Sequence, residues 1–469
     1  MKRIARLVCV VVMLSMVFSL FSGCAKKEEP AGKPTGEGST AKVTASQTTA
    51  ASEATEAPKQ VELKCYLDSI AKKTVFKPAV EKFEKDFPNI KVTLEETGDY
   101  EKKIAVLVAA GEQVDVMTVG NPIVRTKWAQ SKTILPIDDL AVKYGFDFNK
   151  EYGKQAAELQ VDGKYYSVAC YSANWFLVYN KAMFDAAGLP YPSADKAMTW
   201  TEYVETAKKL TKGEGADKKY GAFHMTWTSY WYTQGNSILG GGDKFYTPDG
   251  KASNIEDPAW KKSIKTAYDM QFADKSVMPY TDVKIQKLVG PSFNTGKFGM
   301  FYTGSWILDI VTPDKRDFKI GIAPLPIPDE KSPDYTYTFG SYGAMSLTRS
   351  TKYQDEAFKM MVEVSRNVSA MAENIIPAIG NSDTKARISK LLAKKFESDG
   401  ITEDEFRKVV FEAGNWILEK FTGPAAVEYE NAAREEVEKY FTDMQDLDTT
   451  IKNIKNRGDD VIQKAFKTN

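Results

Sequence analysis

The run from Val61 to Val119 restricts the fold more than any other part of this chain. Val61 to Leu67 reads as a strand that ends at Asp68-Ser69. Phe76, Val80, Phe83 and Phe87 then recur at helical spacing, with Pro78 expected in the tolerant first turn. Ile90 to Leu94 alternates as a second strand, and Ile104, Leu107 and Val108 mark a helix that stops at Gly111. Asp115 to Val119 is a third strand, followed at once by Gly120-Asn121-Pro122. This β-α-β-α-β order means a parallel sheet with right-handed crossovers. Open sheets of that kind hold ligands outside the carboxyl ends of their strands, so Asp68-Ser69 and Gly120-Asn121 are candidate ligand-facing loops.

Asn180 to Asp309 alternates helix and strand as a second α/β unit would. Phe293 to Gly296 reads as a helix end with a Gly stop, and Phe298, Met300 and Tyr302 alternate with Gly299 and Phe301 like a buried strand. Gly304-Ser305 breaks that strand, and Trp306 opens the apolar run Ile307 to Val311. A Trp just past a strand's C-terminal end again sits where such sheets bind ligands; the plainer alternative is a core Trp beside a tight turn. The C-terminal helices are plain in the sequence. Glu435 and Lys439 are spaced to pair at i, i+4 beside the apolar Val427, Val437, Tyr440 and Phe441. There is no internal repeat, and 469 residues leave room for two or three domains.

The N-terminus reads as an export signal. Met1 to Arg6 is basic, Leu7 to Leu20 is almost wholly apolar but short for a membrane span, and Ser22-Gly23-Cys24 follows. Residues 1–23 are therefore expected to be a lipoprotein signal peptide, with Cys24 lipidated as the mature first residue. Residues 24–60 contain no aromatic up to Lys59 and one large aliphatic, Val43, and so form an expected disordered tether. Lys+Arg and Asp+Glu both total 63, and losing Lys2, Arg3 and Arg6 with the leader makes the mature chain slightly acidic. That balance gives no reason to expect nucleic acid as a partner. Of the four cysteines, Cys65 and Cys170 remain for the body; two buried free thiols are favoured over one disulfide.

No catalytic constellation assembles from the sequence, and neither a metal site nor a cofactor is expected. His224 is the single histidine, which excludes HExxH and multi-His metal sites, and no phosphate-loop motif is present. A pair of carboxylates remains conceivable in any long acidic chain, so an anchored glycoside hydrolase stands as the alternative function. A surface adhesin with the same anchor is a third reading. What the sequence does offer is aromatics mixed with amides and hydroxyls, above all Trp227-Thr-Ser-Tyr230-Trp231-Tyr232-Thr-Gln234-Gly-Asn236. A sugar has apolar C–H faces and a belt of hydroxyls, and its site needs both kinds of group. From this segment Trp231 is expected to face the ligand, while Trp260 and Trp416 read as core.

The segment F-x-x-G-K-x-x-M-x-x-x-G-S-W ending at Trp306 resembles the family 1 extracellular solute-binding proteins, the sugar receptors of ABC importers. D-G-K-Y-Y-S-V, W-F-L-V-Y-N-K-A-M-F-D-A-A-G-L and T-W-T-E-Y-V-E-T-A-K-K-L follow that family's order and spacing. So do G-I-A-P-L-P-I-P at Gly321 to Pro328 and F-G-S-Y-G at Phe339 to Gly343, with a departure at Ala169, where the family often carries Pro. The resemblance covers the body from about residue 61 and weakens beyond Pro377. It implies a periplasmic-binding-protein-like α/β fold with two lobes, a multi-segment hinge and a ligand cleft between them. It implies crossings near Ala169–Tyr171, near Gly321–Pro324 and after Val364. Lobe 1 would then be 61–170 and 322–365, and lobe 2 would be 171–321 and 366–469. Asp68, Asn121, Tyr171 and Ser341 would offer hydrogen bonds from lobe 1, and Trp231, Trp306 and Tyr429 would stack from lobe 2. The implied protein is a monomer held at the outer face of the cell membrane by its lipid. Its partners would be a carbohydrate ligand and the permease subunits of an ABC importer with their ATPase.

Overall fold

The computed structural model describes residues 59–68, 73–332, 334–373, 375–379 and 382–468. The expected signal peptide, Cys24 and all but the end of the tether lie outside the described residues. Among the described residues no helix is long and apolar enough to cross a membrane.

The strand Val61–Leu67 buries every second residue, Val61, Leu63, Cys65 and Leu67. It pairs in parallel with Ile90–Glu96 on one side and Val116–Val119 on the other, the arrangement the β-α-β-α-β order requires. Tyr342–Leu347 then adds antiparallel to Val116–Val119, Val168–Ser172 adds antiparallel to that, and Ile376–Pro377 closes a six-stranded sheet. Helices Lys73–Asp86 and Gln354–Met371 cover one face through Phe76, Phe83, Phe358 and Met361. The first helix starts early enough that Pro78 lies beyond its first turn, not within it. Ile104, Val108 and Trp128 pack on another side. Cys65 and Cys170 are buried in this lobe, and no disulfide joins them.

The second lobe is built on a four-stranded sheet ordered Ile320–Ala323, Trp175–Asn180, Phe298–Gly304, Tyr220–Ala222. Its two central strands are buried at every position, because helices cover both faces. Helix Trp200–Leu210 opens with a capping box between Thr199 and Glu202. A second apolar core joins helices Ser229–Leu239, Pro258–Phe272, Ala426–Phe441 and Leu447–Thr468 through Tyr232, Trp260, Tyr429 and Ile454. Glu436 ties the last two helices together: burial opposes its charge, yet Lys439, Arg457, Gln445 and Asn453 hold its carboxyl down at about 2. The expected Glu435–Lys439 pair does not form; Glu435 instead meets Arg457, and Lys439 meets Glu436.

The chain leaves the six-stranded sheet after Ser172 and enters the second sheet at Trp175, so the first crossing is Ala173-Asn174, just past the expected Ala169–Tyr171. The second crossing differs more. Ile320–Ala323 pairs antiparallel with Leu177–Asn180, and Leu325 and Ile327 are buried in the same core, so Gly321–Pro324 belongs to lobe 2. Tyr337–Gly340 also stays there, paired with Asn415–Leu418, and the return to the first sheet is at Ser341. The third crossing comes later than Val364. Val368 still packs in the first core, and Ile376-Pro377 pairs with Tyr171-Ser172.

Candidate ligand-binding cleft

A cleft of about 510 Å³ is lined by residues of both lobes. From the first lobe come Gly120, Asn121 and Pro122, immediately past strand Val116–Val119, and Ser341 at the second crossing. Asn121 caps helix Pro122–Gln130, its Oδ1 accepting the Ile123 N–H at 3.0 Å. From the second lobe, Trp306 follows the end of strand Phe298–Gly304, and Trp227 follows the end of the parallel strand Tyr220–Ala222. Trp175 reaches the same edge from the opposite direction, since its strand is antiparallel and pairs Trp175 with Gly304.

These three tryptophans form the apolar wall. Trp306 meets Trp175 edge-on at 5.7 Å and 89° and lies 6.0 Å from Trp227 at 54°. Trp175 is buried, while Trp227 and Trp306 keep 43% and 36% of their surface open for contact. Gly304 decides where the Trp306 indole goes. A Cβ on Gly304 would come within 2.0 Å of the ring's Cζ3, so the indole lies directly over that glycine. The backbone there is ordinary, with φ −81°, so it is the missing side chain that matters and not a special turn.

Polar groups face this wall. Thr228 Oγ1 donates to Glu430 Oε1 at 2.5 Å, and Lys420 Nζ lies 3.2 Å from Glu419 Oε1 and 3.8 Å from Glu430 Oε1. Burial pushes the Lys420 ammonium toward losing its proton, but Glu419, Tyr232 and Glu430 outweigh it and raise its pKa well above the usual value. Lys420 is thus a fixed cation. Arg434 Nη1 donates to Glu438 Oε1 at 3.1 Å, and its Nη2 reaches Asn431 Oδ1 at 3.4 Å. The set offers donors, acceptors and flat apolar faces, which is equipment for binding a polar molecule with apolar patches. Among the described residues no group of three or more His, Cys, Asp or Glu could hold a metal ion. His224 is buried against Tyr203 and Tyr230, and burial lowers its pKa to about 3.

Of the residues singled out from the sequence, Asn121, Ser341 and Trp306 line the cleft. Asp68 and Tyr171 do not: Asp68 Oδ1 accepts from Thr118 Oγ1 at 2.7 Å, and the Tyr171 ring lies over Gly343, whose Cβ would come within 1.8 Å of it. Trp231 is a correction. It is 4% exposed in the helical core, because it falls in the first turn of a helix buried from Ser229 to Ser237. Tyr429 is another. Its ring is fully buried with its hydroxyl on Ser253 and the Phe245 carbonyl, and the cleft face of its helix is Glu430, Asn431 and Arg434. Trp227 was missed, although the rule that selects Trp306, an aromatic just past a strand end, selects it as well. Glu419 and Lys420 carry no such signal, since the strand before them, Asn415–Leu418, pairs only with Tyr337–Gly340.

Residues 68–366 match the pattern of the bacterial extracellular solute-binding proteins. The diacetylchitobiose binding protein DasA of Streptomyces coelicolor is 22% identical over 330 residues, 65% of this chain and 74% of DasA. A sugar transporter protein of Rhizobium etli, solved in an open conformation, superposes with a TM-score of 0.66 at 25% identity, covering 84% of this chain and 98% of that one. An ABC substrate-binding protein of Listeria monocytogenes, in complex with cycloalternan, gives a TM-score of 0.72 at 20% identity over 87% of this chain and 100% of its own. Two α/β lobes with a cleft lined from both are the periplasmic-binding-protein fold of these neighbours. The family match spans more than half of the chain, and on it the chain belongs to the bacterial extracellular solute-binding proteins, which bind and do not catalyse.

Proposed function

We propose that this chain is the saccharide receptor of an ABC importer, taking up a carbohydrate between its lobes and presenting it to membrane permeases served by an ATPase. The observation that carries the reading is the wall of Trp175, Trp227 and Trp306 opposite Asn121 and Ser341. Indole faces suit the C–H face of a pyranose, while amide, hydroxyl and carboxylate groups suit its hydroxyls. DasA, named for diacetylchitobiose, and the Listeria protein holding cycloalternan support a carbohydrate as the ligand class. The crossings at Ala173-Asn174, at Ser341 and beyond Pro377 would act together as the hinge on which the lobes close. Cys24, with the tether that follows it, would hold the receptor at the membrane by lipid.

A thermal-shift screen of the intact mature protein against mono- and oligosaccharides tests the reading. A binder present at 100 times its Kd should stabilise by about 2.7 kcal/mol. If no saccharide raises the melting temperature, the reading fails. Fatty-acid labelling of the wild type but not of Cys24→Ala tests the anchor separately, and equal labelling of both refutes it.

A further inference from the structure

The cleft's charges are arranged in a way that the saccharide reading alone does not require. Two cations line it among the described residues, Lys420 and Arg434, together with two carboxylates, Glu419 and Glu430. Lys420 is shared between both carboxylates, so the floor around it carries one more negative charge than positive. Arg434 stands at the rim with 38% of its side chain exposed and is already engaged by Glu438. Glu438 in turn also takes Lys284 at 3.1 Å and the Tyr280 hydroxyl at 2.5 Å. A rim cation that open to water attracts a distant anion only weakly, because solvent and salt screen it.

Backbone offers no substitute for a free cation. A helix N-terminus is the usual anion site of a chain without spare lysines. Two helices begin at this cleft: Ser229–Leu239, whose N-cap residue Thr228 already gives its hydroxyl to the Glu430 carboxylate, and Pro122–Gln130. The first residue of the latter, Pro122, has no N–H, and the next N–H, of Ile123, is taken by Asn121 Oδ1 at 3.0 Å. A phosphate or carboxylate at the floor would therefore meet Glu419 and Glu430 with only Lys420, already shared between them, to offset the repulsion. Sugar hydroxyls meet no such conflict. They donate to the two carboxylates and accept from Lys420.

From this pairing, and resting on the saccharide reading, we propose that the cleft selects uncharged saccharides and turns away anionic ones, with Glu430 as the residue that sets the selectivity. Glu430 holds that place because it touches both Thr228 and Lys420 and lies on the helix facing the tryptophans. Replacing it by the isosteric amide leaves Lys420 with Glu419 alone and makes the floor neutral.

The test is calorimetric titration of the intact mature protein with sugars matched in length and linkage. The pairs are maltose with maltobionate and cellobiose with cellobionate, and digalacturonate is added as a uronate. The neutral member of a bound pair should bind at least about tenfold tighter than its anionic partner, and its Kd should hold steady as sodium chloride is raised. Glu430→Gln should shrink the neutral-to-anionic ratio by about tenfold. An anionic member that binds as tightly as its neutral partner overturns the proposal while leaving the saccharide reading standing. A ratio unmoved in Glu430→Gln, with neutral binding retained, overturns the role of Glu430. Failure of every saccharide, of either charge, refutes the saccharide reading and this inference with it.

Discussion

Removing the Trp306 indole is the sharpest test of how the cleft binds. The ring is 36% exposed. A side chain of this size buries up to about 250 Å² when fully covered, so about 90 Å² of it is open to a ligand. At about 25 cal/mol per Å² that surface contributes about 2 kcal/mol when a sugar face covers it. Trp306→Ala should thus weaken binding about thirtyfold, read by calorimetry with whichever saccharide stabilises the wild type best. Trp306→Phe keeps a flat face over Gly304 and should recover part of the loss. The remainder of the indole lies against Trp175 and Trp227, which the substitution leaves in place, so circular dichroism should stay native and unfolding cooperative. Wild-type affinity in Trp306→Ala would mean that the ring only fills space beside the cleft. Loss of the fold would mean that it is core.

Gly304→Ala should weaken binding nearly as much without deleting any ring, because the new methyl group would stand 2.0 Å from the Trp306 Cζ3 and displace the indole; unchanged affinity would refute this. Ile123, on the first lobe's helix, is 2% exposed within the apolar cluster of the C-terminal helices, so Ile123→Ser should loosen that contact and enlarge the radius of gyration of the unliganded protein in solution scattering. His224, held neutral by burial with its pKa lowered to about 3, stays unprotonated when folded while the unfolded chain takes up a proton below about 6.5. Stability should therefore fall by about 2 kcal/mol between pH 6.5 and pH 5, and His224→Gln should flatten the dependence of melting temperature on pH in that window. Asp399, 1% exposed in its side chain, accepts both Arg316 amino groups and the Ile320 N–H; Asp399→Asn should cost about 3 kcal/mol or more in a urea melt, since it leaves the buried guanidinium without its counter-charge.

The parts of the fold that could be read from the sequence are those governed by a period. Val61–Leu67 alternates, the helix after it repeats at 3.6, and three such strands in order leave a parallel sheet as the simple outcome. Long-range antiparallel pairing has no period that betrays its partner. Ile320–Ala323 could have turned back into either lobe, and the family resemblance implied a crossing there. It is an edge strand instead, the outermost of the second sheet, where Pro324 need not donate to a neighbour. The second crossing therefore lies at Ser341 and not at Gly321–Pro324. Similarly, helix Gln354–Met371 keeps burying Val364 and Val368 in the first core, and that one continuous amphipathic face carries the chain past the expected third crossing.

The misreading of Trp227 to Asn236 has a more instructive cause. Its polar residues suggested a surface built for ligand, yet from Ser229 to Asn236 they are buried. Thr233 Oγ1 donates to the Ser229 carbonyl at 2.6 Å, Ser237 Oγ to the Gln234 carbonyl at 2.7 Å, and the Trp200 indole N–H to Ser237 at 2.9 Å. Asn236 Nδ2 donates to the Glu419 carbonyl at 2.7 Å. That bond is the link to function: a buried amide fixes the backbone that carries Glu419 and Lys420 into the cleft. Here one paired buried amide group positions two cleft-lining residues almost two hundred positions away in the chain. The segment contributes a single side chain of its own to the aromatic wall, Trp227, from the turn before the helix begins. Composition pointed to the neighbourhood of the cleft, but it could not separate Trp227, which lines it, from the residues that hold its charged floor in place.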